Sequence, residues 1–549
     1  MKRLIKSRYS LVIFAITLLN SCHPMKQKVD MIVYNGLIYT VDSNFSKAEA
    51  FAINDGRFLA IGTTKEILGK FEADSQIDAK GQAIFPGFND GHCHFYGFGE
   101  NIVRYADLSG SASFEEVLAI LMKHQEQFPS DWILGRGWDQ NNWEGAQFPD
   151  NEELEKIFPN KKVYLIRIDG HAALVSKTAL NEAGIDKNYH VSGGEIILNN
   201  QNKPSGILID NAMDIVKALI PELSVDQKVI GLLEAEKRCF AVGLTSLTDA
   251  GLSYEIIDLI DALQLSDKLK MKMNVMLSSD STTLARFLPS GILIRDRLTV
   301  RSVKLYADGA LGSRGAKLLK PYSDAPGKTG MIMYDKDYYE SICENAYQAG
   351  FQVNVHAIGD SANRMVLSLF AKFLKGKNDL RWRIEHAQVI DPADFELFGQ
   401  YSIIPSVQST HCTSDMKWAG LRLGQERIKS AYAQKQLMAQ NGWIVNGTDF
   451  PIESIHPINT FFAAVVRKDV SGEPVGGFQI ENALSREEAL KSITLWPAQG
   501  AFEEKMKGSI EVSKQADFVI LDKDIMTIPE SEILKAKVET TVSSGEVVF

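Results

Sequence analysis

The sequence predicts an α/β protein: a parallel α/β barrel, a small β domain closed by the two ends of the chain, and a subdomain inserted into the barrel. Three observations predict it. Apolar strand-like runs alternate with segments of helical period, as in Val303-Lys-Leu-Tyr-Ala, Gln352-Val-Asn-Val-His, Arg383-Ile-Glu-His and Trp443-Ile-Val-Asn-Gly, the rhythm of parallel strands joined by helical crossovers. Short strand text with turn signals stands at both ends of the chain. Between about Glu100 and Lys237 the rhythm is broken by Trp-, Asn- and Gly-rich text, including Gly135-Arg-Gly-Trp-Asp-Gln-Asn-Asn-Trp.

Taken in order, residues 1–22 come first. Lys2, Arg3, Lys6 and Arg8 precede the apolar stretch Leu11 to Leu19, and Asn20-Ser21-Cys22 follows. That is the layout of an export signal. The run falls short of the ~20 residues a membrane helix needs, and Ser21 before Cys22 resembles the lipobox of bacterial lipoproteins, in which Cys22 becomes the lipidated first residue. An ordinary cleaved signal or an uncleaved anchor are the alternatives. The chain is expected to be exported, periplasmic or at the cell surface, with membrane contact through an N-terminal lipid anchor only. No later segment offers 18 consecutive apolar residues, so the body after about Met25 is expected to be soluble.

Residues 28–84 read as strands, with the Asp55-Gly56 pair between alternating apolar runs signalling a hairpin. Residues 505–549 mirror them: Ala516-Asp-Phe-Val-Ile-Leu-Asp and Val538-Glu-Thr-Thr-Val lie around a turn at Ser544-Gly545. The two segments together predict the β domain. Residues 85–504 hold the barrel, with the insertion at about 100–237.

Composition narrows the function classes. A chain of 549 residues with 45% hydrophobic and 23% charged side chains is globular rather than disordered. Its 59 basic and 69 acidic residues leave a net charge of −10, which disfavours nucleic acid as a partner. Five cysteines, none in a Cys-x-x-Cys pair, exclude a disulfide framework and a cysteine-rich zinc site.

Polar clusters fall where the strands end, which in a (β/α)8 barrel is where active sites are built. In Phe85-Pro-Gly-Phe-Asn-Asp-Gly-His92-Cys93-His94 the histidines stand at i and i+2, so a strand points both to one face and both can share a metal. His356 and His386 end two further strands. Singly, each histidine reads as readily as a core or surface residue; together, four neutral imidazoles at strand ends point to a zinc-type site. Asp449, in Val445-Asn-Gly-Thr-Asp-Phe-Pro, ends another strand, with a helix N-cap as its plain alternative. Lys304 lies inside a buried strand, where a bare ammonium is costly. Either it pairs with Asp308, or its pKa shifts, or CO2 adds to it. In the last case the carbamate is an oxygen donor able to bridge two cations. A divalent metal, zinc by ligand type and one or two ions in number, lowers the pKa of water and polarises a carbonyl. Asp449 is then the group that accepts a proton and returns it to the leaving amine.

These residues resemble the amidohydrolase superfamily, specifically its amidohydrolase 3 branch, which includes N-substituted formamide deformylases. Pro86-Gly-Phe-Asn-Asp-Gly-His-Cys-His, Asp169-Gly-His-Ala-Ala, Lys304-Leu-Tyr-Ala-Asp-Gly-Ala-Leu-Gly-Ser-Arg, His356-Ala-Ile-Gly-Asp, Arg383-Ile-Glu-His-Ala-Gln and Gly447-Thr-Asp-Phe-Pro stand in that family's order. The resemblance implies a distorted TIM (β/α)8 barrel with a composite β-sandwich from both termini. It implies metal and catalytic positions at His92, His94, Lys304, His356, His386 and Asp449, and cleavage of a C–N bond in an amide, formamide or cyclic amide of a small-molecule substrate.

Ester or lactone hydrolysis or another metal-assisted reaction on a carbonyl at the same site, a non-catalytic surface-tethered binding protein on a degenerate barrel, and structural histidines without metal are the rival readings. His171 is expected to orient the substrate carbonyl or to pack. Arg314 holds an anionic substrate or pairs with Asp308, and Trp138 and Trp143 form pocket wall or core. Thr248 stands where relatives commonly carry histidine. Cys93 should point away from its neighbours, and the remaining cysteines of the body read as buried thiols. The oligomeric state is not legible, a homodimer being one option.

Overall fold

The computed structural model describes residues 26–549 except 141, 142, 146, 168, 169, 171, 192, 193 and 313. Cys22 and the export signal, as well as His171, lie outside the described residues. Eight parallel strands form the barrel: β1 (Phe88–Cys93), β2 (Leu244–Leu252), β3 (Lys272–Leu277), β4 (Leu298–Tyr306), β5 (Gln352–Ala357), β6 (Arg383–His386), β7 (Ile404–Val407) and β8 (Val445–Asn446). Each is hydrogen-bonded to the next in chain order.

The strands read as apolar runs broken by polar residues because their two faces meet different surroundings. Val303 and Leu305 of β4, Val353 and Val355 of β5 and Ile384 of β6 belong to the core shared with the outer helices. The intervening Ser302, Lys304, Asn354, Arg383 and Glu385 are also buried. Period-two alternation in a strand sends these polar side chains to the opposite face, the barrel interior.

Closure between β1 and β8 is not a regular ladder. Past the end of the two-residue β8, Asp449 N donates to His92 O and His94 N donates to Phe450 O, both at 2.8 Å. These bonds join first and last strand at their C-terminal ends. Glycines make the approach possible: a Cβ on Gly91 would lie 2.2 Å from Val445 Cγ1, and one on Gly447 2.4 Å from His92 N. The result is a nearly closed, distorted barrel whose seam runs between two of the expected site residues.

The β domain has a four-stranded sheet of residues 57–62, 50–54, 27–34 and 71–78. A six-stranded sheet orders 546–547, 538–543, 518–521, 83–86, 37–39 and 47–48. In the second, Phe518–Leu521 pairs antiparallel with Ala83–Pro86, so the two chain ends share one sheet. Phe51, Phe58, Ile84, Phe518, Ile520 and Val542 fill one core cluster drawn from both sheets. Both expected turns are two-residue hairpins with positive φ at Asp55, Gly56, Ser544 and Gly545, the backbone such turns require.

Between β1 and β2 a second six-stranded sheet, residues 105–210, carries its own core around Val117, Leu121, Leu165 and Ile207. The chain leaves the barrel through the helix Phe95–Arg104 and returns through Val225–Ala241. These two helices touch backbone to backbone, since a Cβ on Gly99 would lie 2.5 Å from Gly231 O. The returning helix, whose first part fell inside the expected insertion, therefore packs as a barrel helix. Among the described residues no helix is long and apolar enough to cross a membrane.

Candidate active site

His92 is the penultimate residue of β1 and is fully buried. Its Nδ1 hydrogen-bonds Glu385 Oε2, and Glu385 is in turn held by Arg383, whose Nε donates to Oε1 at 2.7 Å and whose Nη2 donates to Oε2 at 2.9 Å. This chain fixes the ring with Nε2 free to face the site. Burial raises the Glu385 pKa, but Arg383 and His92 more than offset it and hold the carboxyl well below its usual range. Burial, with the Lys304 charge, brings His92 down to about 4 against the pull of Glu385 and Asp449. The imidazole is thus neutral, the form that binds a metal.

Beneath it Asp90 accepts from His92 N, at 3.0 Å, and from Thr448 N and Oγ1. That carboxylate clamps the strand end of one histidine to the loop that carries Asp449. Cys93 Sγ donates to Thr248 O at 3.4 Å, turned away from the histidines as expected.

Asp449 is the hub. One of its oxygens, Oδ1, lies 3.2 Å from His94 Nε2 and 3.6 Å from His92 Nε2, and the other, Oδ2, lies 3.6 Å from His411 Nε2. Burial pushes its pKa up, but contact with His94 and the nearby His92, His386 and His411 outweigh burial and leave it well below the ordinary value. Asp449 and His386 both have positive φ, 60° and 73°, a strained conformation for these residues that the surrounding structure must hold.

The four histidines expected to converge do so. Ring centroids are 5.7 Å apart for His92 and His94, 5.1 Å for His92 and His386, and 4.4 Å for His356 and His386. His386 Nδ1 is paired with Gln408 Oε1 at 2.7 Å. His356 Nε2 lies 3.7 Å from Asp308 Oδ1, too far for a hydrogen bond. Lys304 Nζ sits 3.4 Å from His92 Nε2 and is brought to about 8 by burial, with Glu385 and Asp449 opposing. It does not pair with Asp308, which instead accepts the backbone N–H groups of Lys317, Ile358 and Gly359.

The residues fit a divalent cation. Asp449 Oδ1, His356 Nε2 and His411 Nε2 are buried without a hydrogen-bond partner, which is uncommon for buried polar atoms. Ligand atoms of His92, His94 and Asp449 lie within 4.8 Å of one another, as do those of His386, His411 and Asp449. Imidazole and carboxylate are the donors of zinc-type sites.

Comparison with known proteins gives this site its class. Residues 76–549 match the model of the Amidohydrolase family. The chain belongs to that family. It is 31% identical over 526 residues to YtcJ of Bacillus subtilis (strain 168), which spans 94% of this chain and 99% of the relative. It is 24% identical over 550 residues to N-substituted formamide deformylase of Arthrobacter pascens, spanning 95% and 98%. An uncharacterized metal-dependent hydrolase of Pyrococcus furiosus superposes with a TM-score of 0.75 at 28% identity, over 90% of this chain and 100% of that one. This amidohydrolase is therefore a hydrolytic enzyme with a site for a divalent metal.

Other expected residues of the amidohydrolase sit elsewhere. Arg314 binds neither Asp308 nor the histidine cluster: its guanidinium makes a two-pronged pair with Asp324 at 2.8 and 3.1 Å, because Asp308 is already filled by backbone donors. Trp138 is 1% exposed, donates Nε1–H to Leu165 O and stacks on Trp143 inside the insertion's core. Of the two readings of that ring it takes the packed one. Thr248 Oγ1 is buried and accepts from Asn274 Nδ2 at 3.4 Å.

His411 was not among the sequence candidates. It lies in the first turn of the helix Ser409–Arg427, just after β7, and its ring stacks on His386 at 6.0 Å. A histidine shortly after an apolar run, in Ser406-Val-Gln-Ser-Thr-His, was the available signal. It is weak because the residue falls inside the helix rather than at the last strand position. Glu385 carried a signal too, in the i, i+2 spacing of Arg383 and Glu385 on one strand face.

Proposed function

We propose that this protein is an exported, lipid-anchored, zinc-dependent hydrolase that cleaves a C–N bond of an amide, formamide or cyclic amide in a small-molecule substrate. The observation that carries the reading is Asp449, a buried carboxylate held ionised among His92, His94 and His411. His92, His94, Lys304, His356, His386 and Asp449 are the residues that would hold metal. A divalent cation there supplies Lewis acidity for a carbonyl and lowers the pKa of water.

The side chains supply the rest. Glu385 and Arg383 hold the ring of His92, and Gln408 holds that of His386, so neither reorients as charge develops. Asp449, ionised and within reach of the histidine cluster, accepts the proton of the attacking water and delivers it to the departing amine nitrogen. Lys304 has no carboxylate ion-pair partner among the described residues. An amine brought to about 8 is partly neutral near pH 8 and open to CO2. Formation of the N–C bond with loss of one proton gives a carbamate, whose oxygens would add to the donor set.

A screen of N-formyl, N-acyl and cyclic amides, each paired with the matching ester, tests the reaction class, with Asp449→Asn as control. Turnover of an amide with little action on its ester is expected. The variant should lose about 10²–10⁴-fold in kcat, the usual worth of a positioned proton-transfer group. A variant that turned over like wild type would remove Asp449 from the mechanism. The intact mass of the Lys304 peptide, taken without acid, reports whether one CO2 is bound.

A further inference from the structure

We propose that Asp249 is a positioning residue for His94: its carboxylate, reaching across from β2, caps the helix Phe95–Arg104 in place of the residue that starts it, and so leaves the His94 imidazole free for a metal ion. The inference rests on the metal-dependent reading above. It adds a residue that acts through a ligand rather than as one.

A helix opens with backbone N–H groups that have no partner inside it, and the N-cap side chain is the usual acceptor for one of them. His94 stands at that position for Phe95–Arg104, with φ −125° and ψ 69°, and makes no side-chain capping bond. Its ring is turned to the site instead, Nε2 lying 3.2 Å from Asp449 Oδ1. A neutral imidazole that gives its lone pair to an ion carries a hydrogen on the other nitrogen, so no acceptor remains for the helix. The first turn has no acidic side chain either. A ligand at this position needs a cap from elsewhere.

The second barrel strand supplies it. Asp249 lies opposite Cys93 in the pairing of β2 with β1, is 1% exposed, and accepts Tyr96 N on Oδ2 at 2.9 Å. Tyr96 is the second residue of the helix, one of the donors that an N-cap side chain ordinarily serves. The carboxylate also sets negative charge against the positive end of the helix dipole. The His94 backbone is fixed on both sides, its N–H donating to Phe450 O and its C=O accepting Phe98 N, each at 2.8 Å. Asp90 treats the neighbouring ligand in the same way, accepting His92 N at 3.0 Å. Each histidine of the pair thus has a buried carboxylate holding backbone at or next to it.

The test is a double-mutant cycle on the purified full-length protein, stripped of metal by chelation and titrated with Zn2+ by calorimetry. Asp249→Ala is expected to raise the Kd about 10–100-fold, the usual worth of a residue that orients a ligand. In a His94→Ala background the same substitution should change Kd less than about twofold, because no ring is left to hold. Asp249→Asn keeps an acceptor oxygen and should fall nearer to wild type than to Asp249→Ala. The visible spectrum of the Co2+-loaded protein should change in Asp249→Ala and return in Asp249→Asn. Circular dichroism shows that each variant is folded. Asp249→Thr, β-branched as a strand favours and with its hydroxyl one bond short of the carboxylate oxygens, takes the place of Asp249→Ala if that variant does not fold.

An Asp249→Ala protein that binds Zn2+ like wild type overturns the proposal. So does an equal loss in the His94→Ala background, the mark of a residue that only stabilises the fold. Asp249→Asn as weak as Asp249→Ala overturns it too, since charge alone would then carry the effect. A wild type that takes no metal removes the metal-dependent reading, and the proposal with it; where wild type binds, only the Asp249 assignment is at stake.

Discussion

Glu385 shows how much a single residue behind the histidines decides. Its carboxylate takes two guanidinium hydrogen bonds from Arg383 and one contact with His92, in an interior without exposure to water. Removing one member of such a pair leaves the other charge buried and uncompensated. Glu385→Ala is therefore expected to lose about 3–5 kcal/mol of stability, read from urea unfolding. Glu385→Gln keeps the shape and loses the charge. It should fold and bind metal about 10–100-fold more weakly, as measured by titration of the stripped protein. If Glu385→Gln bound metal as tightly as wild type, the carboxylate would not be orienting His92.

Among the elements, the helix pair at the foot of the insertion bears the closest constraint. Phe95–Arg104 and Val225–Ala241 approach until Gly99 and Gly231 touch through their backbones, and a Cβ on Gly231 would stand 2.7 Å from Gly99 O. The obstruction is backbone, so no side chain can swing aside. Gly231→Leu is expected to cost at least about 1–3 kcal/mol, the range for overpacking, and to lower the melting temperature. His94 immediately precedes the first of these helices, at its N-cap position, so separating the pair should also weaken metal binding at His92 and His94. An unchanged melting temperature would mean that the helices part without cost.

For the whole molecule, the seam between β1 and β8 makes metal binding and global stability one problem. Asp449 N to His92 O and His94 N to Phe450 O close the barrel, and three of these residues, His92, His94 and Asp449, also bring their ligand atoms within 4.8 Å of one another. An ion that binds only the folded chain adds RT ln(1 + [L]/Kd), about 2.7 kcal/mol at a hundredfold excess over Kd. Chelation is expected to lower the melting temperature of wild type, and Zn2+ to restore it in proportion to the logarithm of its concentration. A melting temperature indifferent to chelator would separate the seam from the metal.

The sequence by itself determined the alternation of strand and helix, the sharing of a β domain by both chain ends, the hairpins at Asp55-Gly56 and Ser544-Gly545, and the strand-end histidines. All of these are local patterns: hydrophobic period, turn chemistry, and residue type at a fixed offset. Only the tertiary structure decided who faces whom. Arg383, Glu385 and His92 meet across 293 residues of chain, Arg314 finds Asp324 rather than Asp308, Trp138 turns into the insertion's core, and His411 comes within reach of Asp449. Such pairings depend on barrel closure and helix entry angles, which no neighbouring residues encode, and partner choice therefore becomes readable only when the strands are set side by side.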